Sequence, residues 1–228
     1  MSTDFLWGDR PVPTRGPKPS MTLDRIAGAA VAIADAEGLS AASMQRVAGE
    51  LGVTKMALYR YLPGRTELVA LMVERTLGPP PDLTAGDWRA ALARWAGRLL
   101  DGYLEHPWLL TATVGARPIG PHELAWMEAA LAVLTGTPLT AGERLDTLAV
   151  LTGQARMLAE QQVAARQPEA LLTAAVERAV TRYGDRFPAL AATMADVPAQ
   201  AQDQAFRYGL ERILDGIAVL IDRRAGQV

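Results

Sequence analysis

The sequence predicts an all-α fold, and three observations predict it. Alanine and leucine dominate the 228 residues while β-branched runs are scarce. Apolar positions recur at three and four along most of the chain. Small polar residues suited to helix capping, and Gly or Pro breaks, fall at the ends of these periodic stretches. Half of the residues are hydrophobic, enough for one large or two small domains with a real core. The same composition narrows the setting. No apolar run approaches the ~18–20 residues that span a bilayer, so no membrane partner is expected. The N-terminus lacks the cationic-then-apolar order of a secretory signal. With no cysteine there is no disulfide, no thiolate metal site and no Cys nucleophile, which fits the cytoplasm.

Residues 1–20 hold Pro11, Pro13, Pro17 and Pro19 with Arg10, Arg15 and Lys18, and read as a disordered basic arm that forms no helix. It is either a solvated leader or a strand of charge that touches a neighbouring DNA groove. A first helix starts at Thr22, with Ile26, Ala29, Ala30, Ile33 and Ala34 on one stripe, and Gly38 stops it. Ser43 caps a short second helix carrying Met44, Val47, Ala48 and Leu51. Gly52 and Val53 turn the chain, and Thr54 caps a third helix with Leu58, Tyr61 and Leu62, ended by Pro63-Gly64. Thr66 opens a connecting helix over 66–77, which closes a domain of residues 21–67. The Pro- and Gly-rich stretch 78–86 is a linker by composition. Beyond it, in a second domain of residues 78–228, helices are expected near 87–104, 107–114, 121–135, 141–166, 168–182 and 199–224.

Two short helices joined by a Gly-containing turn, the second starting at a capped Thr, form the pattern of a helix-turn-helix. A B-DNA major groove is ~12 Å wide and admits one helix, so base-reading side chains belong near that helix's N-terminus. Thr54, Lys55, Met56 and Ala57 stand there. Leu58 and Leu62 face inward, while Lys55, Met56, Tyr59 and Arg60 face out. Net charge is only −2, but from Met44 to Arg65 four cations oppose one acid. The only lysines are Lys18 and Lys55. The pattern alone leaves two readings open: a DNA-reading surface, or partly buried tyrosines beside cations that only solvate a face.

The stretch 34–72, ADAEGLSAASMQRVAGELGVTKMALYRYLPGRTELVALM, resembles the DNA-binding domain of the tetracycline-repressor (TetR) family. Gly38-Leu39, Ser43, Ala48, Leu51-Gly52-Val53, Ala57-Leu58-Tyr59, Tyr61, Arg65 and Glu67-Leu68 carry that resemblance. It implies a homodimer on a palindromic double-stranded DNA operator. Ser43 and Arg46 would contact phosphate, Gln45 would reach a base edge, and Lys55 and Met56 would face bases. Tyr59 would meet a phosphate or a base, Tyr61 a phosphate, and Arg65 would clamp the backbone.

Beyond residue 80 the resemblance weakens, although GARPIGPHELAWMEAALAVL (115–134) is similar to the effector domain of the tetracycline repressors. Those proteins carry a metal-coordinating His just before Gly-x-Arg-Pro, where Val114 stands here. A magnesium–tetracycline effector is therefore not expected, and neither a metal nor a cofactor is. His106 and His122 lack ligand spacing, and each adjoins a proline that suggests a helix start. Trp95, Trp108, Trp126, Met127 and Met157, with Thr111 and Gln154 as polar handles, are the candidate effector pocket. Plain core is the competing reading for each apolar member.

The last helix presents Phe206, Leu210, Ile213, Leu214, Ile217, Leu220 and Ile221, a face too wide for one neighbour. With Leu145, Leu148, Leu151 and Leu158 it is expected to build a four-helix dimer interface. The sequence thus points to a homodimeric repressor released by a small molecule. An enzyme is not expected, because no paired carboxylates, nucleophile elbow or phosphate loop appears. A regulator that needs no small molecule is the remaining alternative. A large cavity in the second domain would favour ligand control, and a filled core would favour that alternative.

Overall fold

The structure, a computed structural model, describes residues 4–8, 21–165, 171–196 and 205–226. Every regular element among them is helical. α2 (Leu23–Glu37) begins where Thr22 accepts the Arg25 N–H on its side chain, and Gly38 ends it at φ 85°. α3 (Met44–Glu50) and α4 (Lys55–Tyr59) are capped the same way by Ser43 and Thr54. Between them Gly52 takes φ 68°, a left-handed conformation that glycine adopts without Cβ strain. The Val53 N–H then reaches back to the Ala48 carbonyl at 2.9 Å and closes the turn. α5 (Arg65–Leu77) starts one residue before the expected Thr66, after an extended Gly64 that offers no side-chain cap.

The second half contains α6 (Trp88–Glu105), α7 (Leu109–Ala112), α8 (Pro121–Leu134) and α9 (Ala141–Ala165). α10 (Leu171–Tyr183), α11 (Pro188–Asp196) and α12 (Ala205–Ala225) follow. The expected starts at 168 and 199 lie outside the described residues. α11 was not expected at all: its run of Ala between Pro188 and Asp196 carries a weak periodic signal.

The first residues differ from the expected helix-free arm. Asp4–Trp7 form a single helical turn, α1. Leu6 is buried and Phe5 packs on the same core, while the Trp7 indole N–H donates to the Ile119 carbonyl at 3.3 Å. An apolar Phe-Leu-Trp triplet with a docking surface outweighs the proline-rich composition that follows it. Residues 9–20, which hold the prolines and cations of the expected arm, lie outside the described residues.

Two apolar clusters hold the chain together. The first joins α2 to α5 through Ile26, Val47, Leu58, Leu62, Leu68 and Met72, and extends to Tyr103, Trp108, Leu109 and Leu158. The second lies between α6, α8, α9 and α12, with Leu92, Trp95, Trp126, Leu134, Leu151 and Leu214. This packing overturns one expectation about α9. Leu148, Leu151 and Leu158 are interior to the protomer, whereas Leu145, Val150 and Met157 are exposed. α9 packs on α6, α8 and α12. Those neighbours consume Leu148, Leu151 and Leu158, three of the four α9 leucines assigned above to a dimer interface, while Leu145 stays exposed.

Candidate DNA interface and effector cavity

Helix α4 ends at Tyr59, short of the expected Tyr61 and Leu62. Leu58 on it and Leu62 just beyond it, both fully buried, fix its inner side to the first cluster. The outer side is then left to solvent. Gln45, Thr54, Lys55, Met56, Tyr59 and Arg60 are exposed, and Met56 is 72% accessible, a costly position for an apolar side chain without a partner. The Lys55 ammonium lies 5.6 Å from the Tyr59 ring centroid, a cation–π distance that holds both over the same patch. Ser43 and Thr54 spend their oxygens as acceptors from Arg46 and Ala57, at 3.1 and 3.2 Å. Each hydroxyl proton therefore remains to be donated.

Three predicted contacts look different at this level. Arg46 is engaged twice within the protein, by Glu50 at 2.8 Å and Glu37 at 3.0 Å. The hydrogen bond to Glu50, and then that to Glu37, raise its pKa above the ordinary arginine value. A phosphate at Arg46 must compete with both acids. Arg65 donates to the Leu39 carbonyl at 3.0 Å, so it ties the first turn of α5 to the loop before α3. Tyr61 is half-buried and packs against the core with its ring.

Within the second half a cavity of about 500 Å³ opens between α5, α6, α8 and α9. That volume suits a small molecule. Trp95, Trp126 and Met127 of the predicted pocket line it, together with Leu77, Leu99, Tyr103, Thr113, Glu123, Thr152, Gly153 and Arg156. The two indoles sit 6.3 Å apart at 53°. Their N–H groups are already used, Trp95 donating to the Trp126 carbonyl at 2.9 Å and Trp126 to the Gly78 carbonyl at 3.0 Å. Arg117, nearly buried, grips Glu123 with two bonds of 2.7 Å. The Arg156 guanidinium donates to Thr113 at 3.1 Å and pairs with Glu160 at 3.2 Å.

The other four predicted pocket residues lie elsewhere. Trp108 is in the first cluster, its indole donating to Asp35 at 2.7 Å. Thr111 borders open grooves on the surface beside Val114. Gln154 faces Gly209 of α12, and Met157 is exposed on the outside of α9. Ala149, Thr152 and Gly153, small residues within two turns of Arg156, also border the cavity and leave room on that side of α9, but were not among the expected residues. That stripe was the missed signal.

His106 closes α6 instead of opening a helix, its ring nitrogen 2.7 Å from Asp35, and His122 lies in the first turn of α8. Among the described residues no group of three His, Cys, Asp or Glu could hold a metal, and no helix is long and apolar enough to cross a membrane.

The chain matches two family profiles. "Bacterial regulatory proteins, tetR family" covers residues 26–72, and "Tetracyclin repressor-like, C-terminal domain" covers residues 80–221. It is 40% identical to HTH-type transcriptional repressor DrrR1 of Streptomyces coeruleorubidus, across 98% of this chain and 87% of that protein. An HTH-type transcriptional regulator of Saccharopolyspora erythraea is 27% identical across 92% and 89%. Of solved structures, Streptomyces coelicolor ActR in complex with actinorhodin is similar with a TM-score of 0.77 at 26% identity. That match covers 90% of this chain and 98% of the other.

Proposed function

The chain belongs to the TetR family of bacterial transcriptional regulators, and we propose that it acts as a homodimeric repressor. In this reading it holds a palindromic operator until a small molecule enters the second half. One observation carries the DNA-reading part. The helix α4, held by buried Leu58 within it and buried Leu62 just beyond it, leaves Lys55, Met56 and Tyr59 in solvent, and Gln45 at the start of α3 is exposed as well. Lys55 donates to guanine O6 or N7, Met56 packs on a thymine methyl, and Gln45 reaches a neighbouring base edge. Ser43, Thr54, Tyr59, Arg60, Tyr61 and Arg65 serve the phosphates and set the register, joined by Arg46 when a phosphate displaces its acids.

The cavity supports ligand control over a regulator that needs none. A core built only for stability would not leave about 500 Å³ open beside two packed tryptophans. Trp95, Trp126 and Met127 present apolar surface to the effector, with Thr152, Thr113, Glu123 and Arg156 as the polar contacts. ActR, of the same fold, has been crystallised with actinorhodin, which supports a small-molecule occupant here. DrrR1 is a repressor, which supports repression as the sign.

The test is selection of bound duplexes from a random pool at near-physiological salt, where purely electrostatic binding is suppressed. An inverted repeat is expected, and Lys55→Ala should relax it at one position in each half-site. If no motif emerged, or the Lys55→Ala protein selected the same one equally tightly, the DNA-reading assignment would be wrong.

A further inference from the structure

α5 is common to the two functions. Its first turn is tied by Arg65 to the loop before α3, and Leu68 and Met72 pack in the same cluster as Leu58 and Leu62. Its last turn lies against α8, the helix that brings Glu123, Trp126 and Met127 to the cavity. Three contacts join that turn to α8, one of them the His122 ring nitrogen 3.2 Å from the Glu74 backbone carbonyl. The Glu74 carboxylate accepts the His122 backbone N–H at 2.8 Å, and the Gly78 carbonyl accepts the Trp126 indole N–H at 3.0 Å. Both link residues 48 apart in the chain, so the helices run in parallel register for one turn with two rungs between them.

The first rung is tight and only half satisfied. Gly120 is the N-cap of α8 and has no side chain to offer, while Pro121 at the first position has no N–H. The cap of α8 therefore comes from another helix, through Glu74 Oε1. Its second oxygen, Oε2, is buried without a hydrogen-bond partner, in a residue only 7% exposed. Oε2 faces Gly120, where a Cβ would lie 2.2 Å away. Gly120 has an ordinary φ of −99°, so what demands glycine is space, not backbone conformation. No slack exists between the start of α8 and the end of α5.

We propose that Glu74 is the positioning residue that passes effector occupancy to the reading helix. This rests on the ligand-released reading above. A molecule pressing on Trp126 moves α8. The first residues of α8 bear on the Glu74 carboxylate, and α5 swings as one rigid rod of roughly 20 Å. α3 and α4 follow through the shared cluster. Arg75, next to Glu74, pairs with Asp24 of α2, so the whole reading unit moves with the rod. Without the Glu74 side chain the Trp126–Gly78 bond and the His122 ring on the residue-74 carbonyl keep the two helices in register, but the start of α8 no longer bears on a carboxylate of α5.

The proposal predicts that a wedge at this contact imitates the effector. Gly120→Ala sets a methyl against Oε2 and should weaken binding to the selected duplex about tenfold with no ligand added, a typical size for coupling between sites. Glu74→Ala alone should bind DNA within about threefold of wild type, and adding it to Gly120→Ala should restore that affinity. A second wedge from the ligand side is Gly153→Leu, which enters the cavity where nothing lies within 4 Å of a new Cβ. It too should weaken DNA binding, and Glu74→Ala should reverse the loss. Amide hydrogen exchange over 55–69 should quicken with either wedge and slow again with Glu74→Ala.

A wedge that lowers only the melting temperature, leaving exchange at 55–69 and affinity unchanged, would overturn the proposal. So would either double variant remaining as weak as its single wedge. A wild-type protein that bound no duplex would sink the DNA reading instead, and the exchange measurement would still decide the coupling.

Discussion

Gly52 shows how much of a binding site can depend on one residue with no side chain. Its φ of 68° turns α3 into α4, and a Cβ built there meets nothing within 4 Å. Substitution is therefore opposed by the left-handed backbone alone, at about 1–2 kcal/mol. Gly52→Ala should lower unfolding free energy by about that amount in a urea titration. Gly52→Asn should cost less, because Asn tolerates this region. Equal losses for the two variants would mean that packing, and not backbone conformation, fixes the turn. Much at this scale was legible in advance, because capping and turn chemistry are local. Thr22, Ser43 and Thr54 each accept the N–H three residues on. Partners remote in sequence were not legible. Arg46 reads as a phosphate ligand until Glu37 and Glu50 are found beside it. Trp108 reads as pocket until Asp35, far back in α2, takes its indole.

Among the helices, those with a strong apolar period and a cap were found near their expected ends, while the weakly patterned ones were missed. α1 has four residues and depends on a surface made by distant chain. Which face of α9 is interior could not be read, because its apolar residues are spread around the helix and α6, α8 and α12 divide them. α9 and α12 are also joined electrostatically. Glu143 in the first turn of α9 pairs with Arg224 in the last turn of α12 at 2.7 Å. That hydrogen bond, with those from Thr140, brings the Glu143 pKa down to about 2. A carboxyl more acidic in the folded than in the unfolded chain stabilises above the unfolded value, and that contribution vanishes as pH falls toward the folded one. The wild-type melting temperature should therefore fall further than that of Glu143→Gln between about pH 4.5 and pH 2. Parallel curves for the two proteins would show that the pair contributes nothing.

At the scale of the molecule, the question is what covers the outer face of α9 and α12. Of the wide apolar face of α12, only Leu210 and Leu214 are buried within the protomer. Ile213, Ile217, Leu220 and Ile221 remain partly exposed, and across from them Val150 and Met157 of α9 stand in solvent. A two-fold interface uses one patch twice, so this strip, facing its own copy, would give the four-helix contact with Val150 and Met157 in place of the interior leucines. In the proposed dimer this contact would have a geometric purpose, setting two copies of α4 about one DNA turn apart, ~34–36 Å. Val150→Glu separates folding from assembly. At 51% exposure the side chain can become charged with little effect on the protomer, yet in a two-fold contact it buries two like charges. Sedimentation should then report a mass near 24.4 kDa at concentrations where wild type sediments at twice that. Affinity for the full palindrome should fall about 100-fold or more, while the weak affinity for an isolated half-site is kept, because each monomer retains only its own share of the specific contacts. A Val150→Glu protein that still sedimented as a dimer and held the palindrome would move the interface elsewhere.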